Sequence, residues 1–225
     1  MGRKTDEGRD RARWEGWTSA CQLYEQLATG ASLVELPPGE VRLDVAEIPY
    51  ADTILGYSRF YGMDVTYARS SLLMFGPATF VAAGLAINAM ANASARRRAE
   101  AMAAAQWRDH AYVRTLLTDR RLLCDYGGQW LSFWHGGVVE LSGDVSQWQF
   151  VLRYELGEPL MLHGTAAPWF AVAVAHVVYG QRGLRLPALS PLAHAVARSL
   201  AGRPHTTGGL RGDGGRGGLA ALPPA

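Results

Sequence analysis

Between Arg69 and Arg96 the chain runs for about 26 positions without a charged residue, and Arg96, Arg97 and Arg98 close the run. That exceeds the roughly 20 residues a helix needs to cross the hydrocarbon core of a bilayer. A ridge of small residues, Ala78, Ala82, Ala86, Ala89 and Ala93, lies opposite Leu73, Phe80 and Ile87 on a helical projection, and such ridges allow close helix packing in lipid. Pro77, the alanine excess, and Asn88 and Asn92 on the face of Gly84 make the run less apolar than a Leu-rich span. The strongest constraint comes from its neighbours. Strand-like sequence stands on both sides, and one crossing would put the two sets of strands on opposite faces of a membrane, where they cannot pair. Three arrangements respect this: the run lies along the interface, it folds back as a helical hairpin near Gly84, or the early strands stand outside the sheet. A fourth reading needs no lipid, with the helix packed on its own domain or on a second copy. Continued through the good helix formers of ARRRAEAMAAAQWRDH, the helix is expected over 70–109, a rod of about 60 Å at 1.5 Å per residue.

Residues 1–17 are charged and poor in aliphatics, and disorder is expected there. A helix is expected over 18–30, with Thr18 or Ser19 as cap, Leu23, Tyr24 and Leu27 on one face, and Gly30 as its stop. Pro37 interrupts the chain. Val41, Leu43 and Val45 then alternate with Arg42, Asp44 and Ala46, which predicts a strand. Residues 53–68, rich in β-branched and aromatic side chains, suit one or two more.

Strand character returns after His110. YVRTLLT and RLLCDY flank a turn at Thr118, Asp119 and Arg120, WLSFWH follows GGQ, and VVEL follows Gly136 and Gly137. In VSQWQFVLRYEL, Trp148, Phe150, Leu152 and Tyr154 share one face, and LMLHG follows. Residues 165–180 read as a helix capped by Thr165, with Pro168 in its first turn and a stripe of Trp169, Val172, Ala173, His176 and Val177. Gly, Pro, Ala and Arg dominate afterwards, so 182–225 is expected to be a disordered basic tail, with at most a weak helix in LPALSPLAHAVARSLAG.

LTDRRLL at Leu117–Leu123 and a Trp-bearing strand at Trp130 or Trp134 carry a resemblance. Over about 40–68 and 110–181 the chain resembles bacterial PH-like or GRAM-like domains of actinobacterial type. The resemblance implies an α+β, mainly β fold: a PH-like antiparallel barrel of about seven strands capped by a C-terminal helix. The long apolar helix is then an insert between strands of a domain spanning 40–181. Phosphoinositide-binding relatives use Lys and Arg around the first hairpin. Here 31–69 holds six acids against Arg42, Arg59 and Arg69, so headgroup binding is not carried over to any residue.

Chemistry-bearing motifs are sparse. Two cysteines, Cys21 and Cys124, are too few for a disulfide framework or a zinc site. None of the six histidines pairs at ligand spacing with a carboxylate or thiol, so no metal and no cofactor is expected. HGG at 135–137 is like an esterase oxyanion loop, but G-x-S-x-G is missing, and a hairpin turn is the better reading of His135. The net charge of +2 draws no nucleic acid, and no aromatics interleave the tail arginines. Met1–Arg13 alternates acids and bases where a secretory signal needs an apolar stretch.

The expectation is therefore a non-enzymatic scaffold or membrane-proximal adaptor in the cytosol, at the inner face of the cell membrane. Its contacts with a membrane surface, a protein partner or a second copy are expected from Leu72, Leu73, Phe75, Phe80, Val81, Leu85 and Ile87, with Arg96, Arg97 and Arg98 at lipid headgroups or an acidic partner. The alternatives are an integral protein with a single-span or re-entrant helix at 71–92 and a cytosolic β domain, and a hydrolase using His135.

Overall fold

The computed structural model describes residues 2–62 and 104–201. Among these, seven strands form one antiparallel sheet: β1 (Pro49–Tyr61), β2 (Gln106–Thr118), β3 (Arg121–Tyr126), β4 (Gln129–Trp134), β5 (Val138–Ser142), β6 (Gln149–Tyr154) and β7 (Leu160–His163). Their order is β4-β3-β2-β1-β7-β6-β5. Three helices among the described residues accompany the sheet: α1 (Gly2–Ala28), α2 (Ala167–Tyr179) and α3 (Ser190–Ala201). The fold is thus mixed α+β, mainly β.

Alternation sets the inner face. Leu55 and Tyr57 of β1, Val113 and Leu117 of β2, Leu122 and Cys124 of β3, Phe150 and Leu152 of β6, and Leu160 and Leu162 of β7 are all buried in one core. Gly127 and Gly128, both at positive φ, make the tight β3–β4 turn where glycine carries no steric cost. The sheet does not close as a continuous ladder. β4 and β5 are its two edges, and the seam between them is filled by side chains, with the Phe133 and Tyr154 rings 6.1 Å apart.

Several expectations are corrected. Residues 2–17 are helical, as the first half of α1, because that half docks. Gly16 lies against the Thr165 carbonyl, where an added Cβ would come to 2.1 Å, and Trp17 meets Trp148 edge-on at 6.1 Å. Thr18 and Ser19 therefore sit mid-helix, while Gly30, at φ +92°, ends the turn after α1. Val41–Ala46 is not a strand. Its polar groups are claimed by the β2–β3 turn, and Ala46 sits in the left-handed region at φ 59°.

The helix expected over 70–109 is not helical at its end, because Trp107 and Arg108 pair with Phe60 and Arg59 of β1; its part from 70 to 103 lies outside the described residues. Trp148 lies outside β6, also in the left-handed region. The segment 182–201, placed in a disordered tail with at most a weak helix in LPALSPLAHAVARSLAG, is ordered: two short 3-10 turns lead into α3, which falls within that stretch, because Leu184, Ala188, Leu189, Leu192 and Val196 find cover. α2 starts from Ala166 without a side-chain cap, and its buried residues run from Ala167 to Ala175 rather than along the expected stripe: Val172 and Ala173 are buried, Trp169, His176 and Val177 only partly, and Phe170, Ala171, Val174 and Ala175 are buried because α1 packs on the helix as well as the sheet.

One pairing decides where the apolar segment is rooted. β1 and β2 are antiparallel neighbours from Pro49↔Thr118 to Tyr61↔Gln106. The chain therefore leaves the sheet after Tyr61 and re-enters it at Gln106 from adjacent positions at the same end.

Candidate functional site

The ten contact residues expected from the sequence, Leu72, Leu73, Phe75, Phe80, Val81, Leu85, Ile87, Arg96, Arg97 and Arg98, lie outside the described residues, as does 202–225. What is described is the stem from which their segment departs. Phe60 and Trp107 are cross-strand partners with rings 5.2 Å apart. One step further along, Arg108 lies 5.7 Å from the Tyr61 ring centre and donates from Nε to the Tyr61 carbonyl at 3.1 Å. The Tyr61 hydroxyl donates to the Asp109 carboxylate at 3.1 Å. Three aromatic rings and an arginine thus ring the stem. No helix among the described residues is long and apolar enough to cross a membrane.

The LTDRR turn is a structural clamp. Arg121 donates to both oxygens of the buried Glu47 carboxylate, at 2.9 and 2.8 Å, and lies 4.5 Å over the Trp134 ring. Thr118 donates to Glu47 at 2.8 Å, and Asp119 accepts from the Ile48 N–H at 2.8 Å. Burial pushes the Glu47 carboxyl upward, but Arg121, the Asp44 N–H and the Thr118 hydroxyl outweigh it and hold the group below its ordinary range.

His135 belongs to the same corner. Its Nε2–H donates to the Thr118 carbonyl at 3.0 Å, and Nδ1 is buried with no partner. Burial holds its pKa below the ordinary value. That nitrogen is sealed from any substrate. His176, read as a core histidine, is half-buried at the end of α2.

A cavity of about 320 Å³ opens at the seam between β4 and the β5–β6 hairpin, walled by Phe133, Trp134 and Leu156. Arg59 lies 5.1 Å from the Phe133 ring centre, and its Nη2 bonds the Glu158 carboxylate. Arg59 Nε and the Tyr154 hydroxyl are buried without partners. Burial pushes the Tyr154 phenol well above its ordinary range and the neighbouring Cys124 thiol up to about 12, so both stay neutral near pH 7. Glu155 and Glu158 line the cavity together with Arg59, so two carboxylates stand against one guanidinium.

No family model matches the chain, and neither a curated protein nor a solved structure matches it.

Sequence reasoning missed the Arg59 cavity, because Arg59 reads as an outward charge in a strand that in fact turns its odd residues inward. It also missed the contact between Ser58 Oγ and His110 Nδ1, at 2.7 Å. Ser58 is fully buried and His110 is held by the Trp107 carbonyl rather than a carboxylate, so the pair lacks the exposed nucleophile that covalent catalysis needs. The β-bulge between Tyr57 and Arg59 creates this contact, and a bulge leaves no mark in a hydrophobic pattern.

Proposed function

We propose that the chain is a non-enzymatic, PH-like adaptor held at a membrane surface through the apolar segment inserted between β1 and β2. The observation that carries this reading is the Tyr61↔Gln106 pairing. An odd number of crossings between paired neighbours is impossible, because it would tear the ladder across the bilayer. The integral single-span alternative loses its support for that reason, and a re-entrant or in-plane anchor keeps it. Phe60, Tyr61, Trp107 and Arg108 at the stem support the same reading, since aromatic rings and long cationic side chains gather where hydrocarbon meets headgroups. The PH-like assignment draws its support from the strand order and from α2 packed against β6.

The test is fractionation of cells expressing the full chain or a form lacking 72–92. The full chain is expected in the membrane pellet at neutral pH and the deleted form in the supernatant; alkaline carbonate then separates a re-entrant anchor, which stays in the pellet, from an in-plane one, which is released. Recovery of both forms in the supernatant at neutral pH contradicts the reading. Release of a stable dimer that the deletion dissolves assigns the segment to a second copy instead.

A further inference from the structure

A second cleft, of about 710 Å³, lies on the outer face of the sheet beneath the first half of α1. Arg9 and Arg13 reach it from one face of α1, His110 and Tyr112 from β2, His163 from β7, and Gln147, Trp148 and Gln149 from the approach to β6. No carboxylate is among the described residues that line it. In a chain of net charge +2, two arginines converging without an acid make a positively biased site, and His163 adds a ring donor to it.

The cleft is also built rather than incidental. The His163 ring lies flat on Gly56, where a Cβ would come within 2.1 to 2.4 Å of it, and it meets Tyr112 edge-on at 5.9 Å. Trp148, in the left-handed region at φ 60°, is gripped by Trp17 on one side and lies 5.9 Å from the Arg13 guanidinium. Backbone strain of this kind persists where the surroundings over-determine it. Gly16, seated on the Thr165 carbonyl, fixes the height of α1 above the sheet and with it the reach of both arginines. His110 spends both ring nitrogens on Trp107 and Ser58, so it contributes shape rather than a contact. Tyr112 remains 77% exposed, a ring with one face unused.

We propose that this cleft binds a phosphate monoester, with the dianion between Arg9, Arg13 and His163 and the remainder of the ligand against Tyr112. The inference goes beyond the adaptor reading and does not depend on it, because a soluble probe reaches the cleft whether or not residues 72–92 touch lipid. The same phosphate chemistry is offered by a free metabolite or by a lipid such as phosphatidic acid.

The test titrates the full chain in detergent with adenosine monophosphate and with inorganic phosphate by calorimetry. In parallel, its binding to vesicles of phosphatidylcholine is compared with vesicles that also contain phosphatidic acid. Arg9→Ala and Arg13→Ala are each expected to weaken binding about tenfold, the loss typical of one charge-assisted hydrogen bond, and to flatten its salt dependence. Arg11→Ala, whose side chain pairs with Glu15 away from the cleft, is expected to leave it unchanged. Unaltered melting temperatures identify a lost ligand contact rather than lost folding. Binding of the soluble monoester assigns a metabolite. Arginine-dependent preference for phosphatidic acid vesicles without soluble binding assigns a lipid. Absence of both, or binding indifferent to Arg9 and Arg13, overturns the proposal.

Discussion

Glu47 and Arg121 show how a single ion pair replaces a missing secondary element. With no ladder bonds, the segment before β1 is held by one carboxylate that accepts from Arg121, Thr118 and the Asp44 N–H. Removing one member of a buried pair leaves the other charged and unsolvated, so Glu47→Ala is expected to cost about 3 kcal/mol, read as a lower urea midpoint at unchanged m. His135 makes a separate, pH-dependent prediction. Its folded pKa lies below the ordinary 6.5 because burial disfavours the imidazolium. The unfolded state therefore binds more protons in the window between the two values. Stability is full above about pH 6.5 and falls as the pH drops toward the folded pKa. His163 and His176 are shifted in the same direction by burial and add to the fall. Urea midpoints taken from about pH 7.5 to about pH 5 should decline, and His135→Asn should shrink the decline; an identical decline in that variant removes His135 from the explanation. Glu47 acts lower, its contribution being lost only as the pH falls beneath the ordinary carboxylate value of 4.5.

At the scale of elements, α1 diverges most from what the sequence suggests. Its first half is polar and charged, and local composition there reads as disorder. Helicity comes instead from docking at Gly16 and Trp17, which only the folded sheet supplies. Deleting residues 2–17 is accordingly expected to lower stability, by about 1 kcal/mol for the Trp17–Trp148 ring pair alone and more for the area uncovered. A deletion with an unchanged urea midpoint would mean that the segment is not docked. The strands after His110 were legible because alternation, glycine turns and the Thr118–Arg121 signal agree with one another. Val41–Ala46 was misread because its alternation arises in a segment pinned by side chains, which imitates a half-buried strand. The last turn of the expected apolar helix was misread because Gln106–Asp109 have adequate helix propensity, and cross-strand partners in β1 override it. The candidate sites were nearly illegible. Arg59 and Tyr154 meet across the seam, and Arg9, Arg13, His110 and His163 meet through topology, at separations no spacing rule covers.

For the whole molecule, the consequential fact is that the sheet takes strands from both flanks of the apolar segment. It fixes where the two flanks lie whatever the segment itself does: on one side of any membrane, side by side. The adaptor reading, the loss of the single-span alternative and the placing of the aromatic stem all descend from that pairing. Sidedness can be read directly in cells expressing the full chain, in a background with Cys21→Ser and Cys124→Ala. Single cysteines at Ile54→Cys and Tyr112→Cys report on β1 and β2 from exposed positions on the outer face of the sheet. A membrane-impermeant maleimide should label neither site in intact cells and both after permeabilisation. Labelling of one site and not the other in intact cells would contradict the account, since the two strands could not then belong to one sheet.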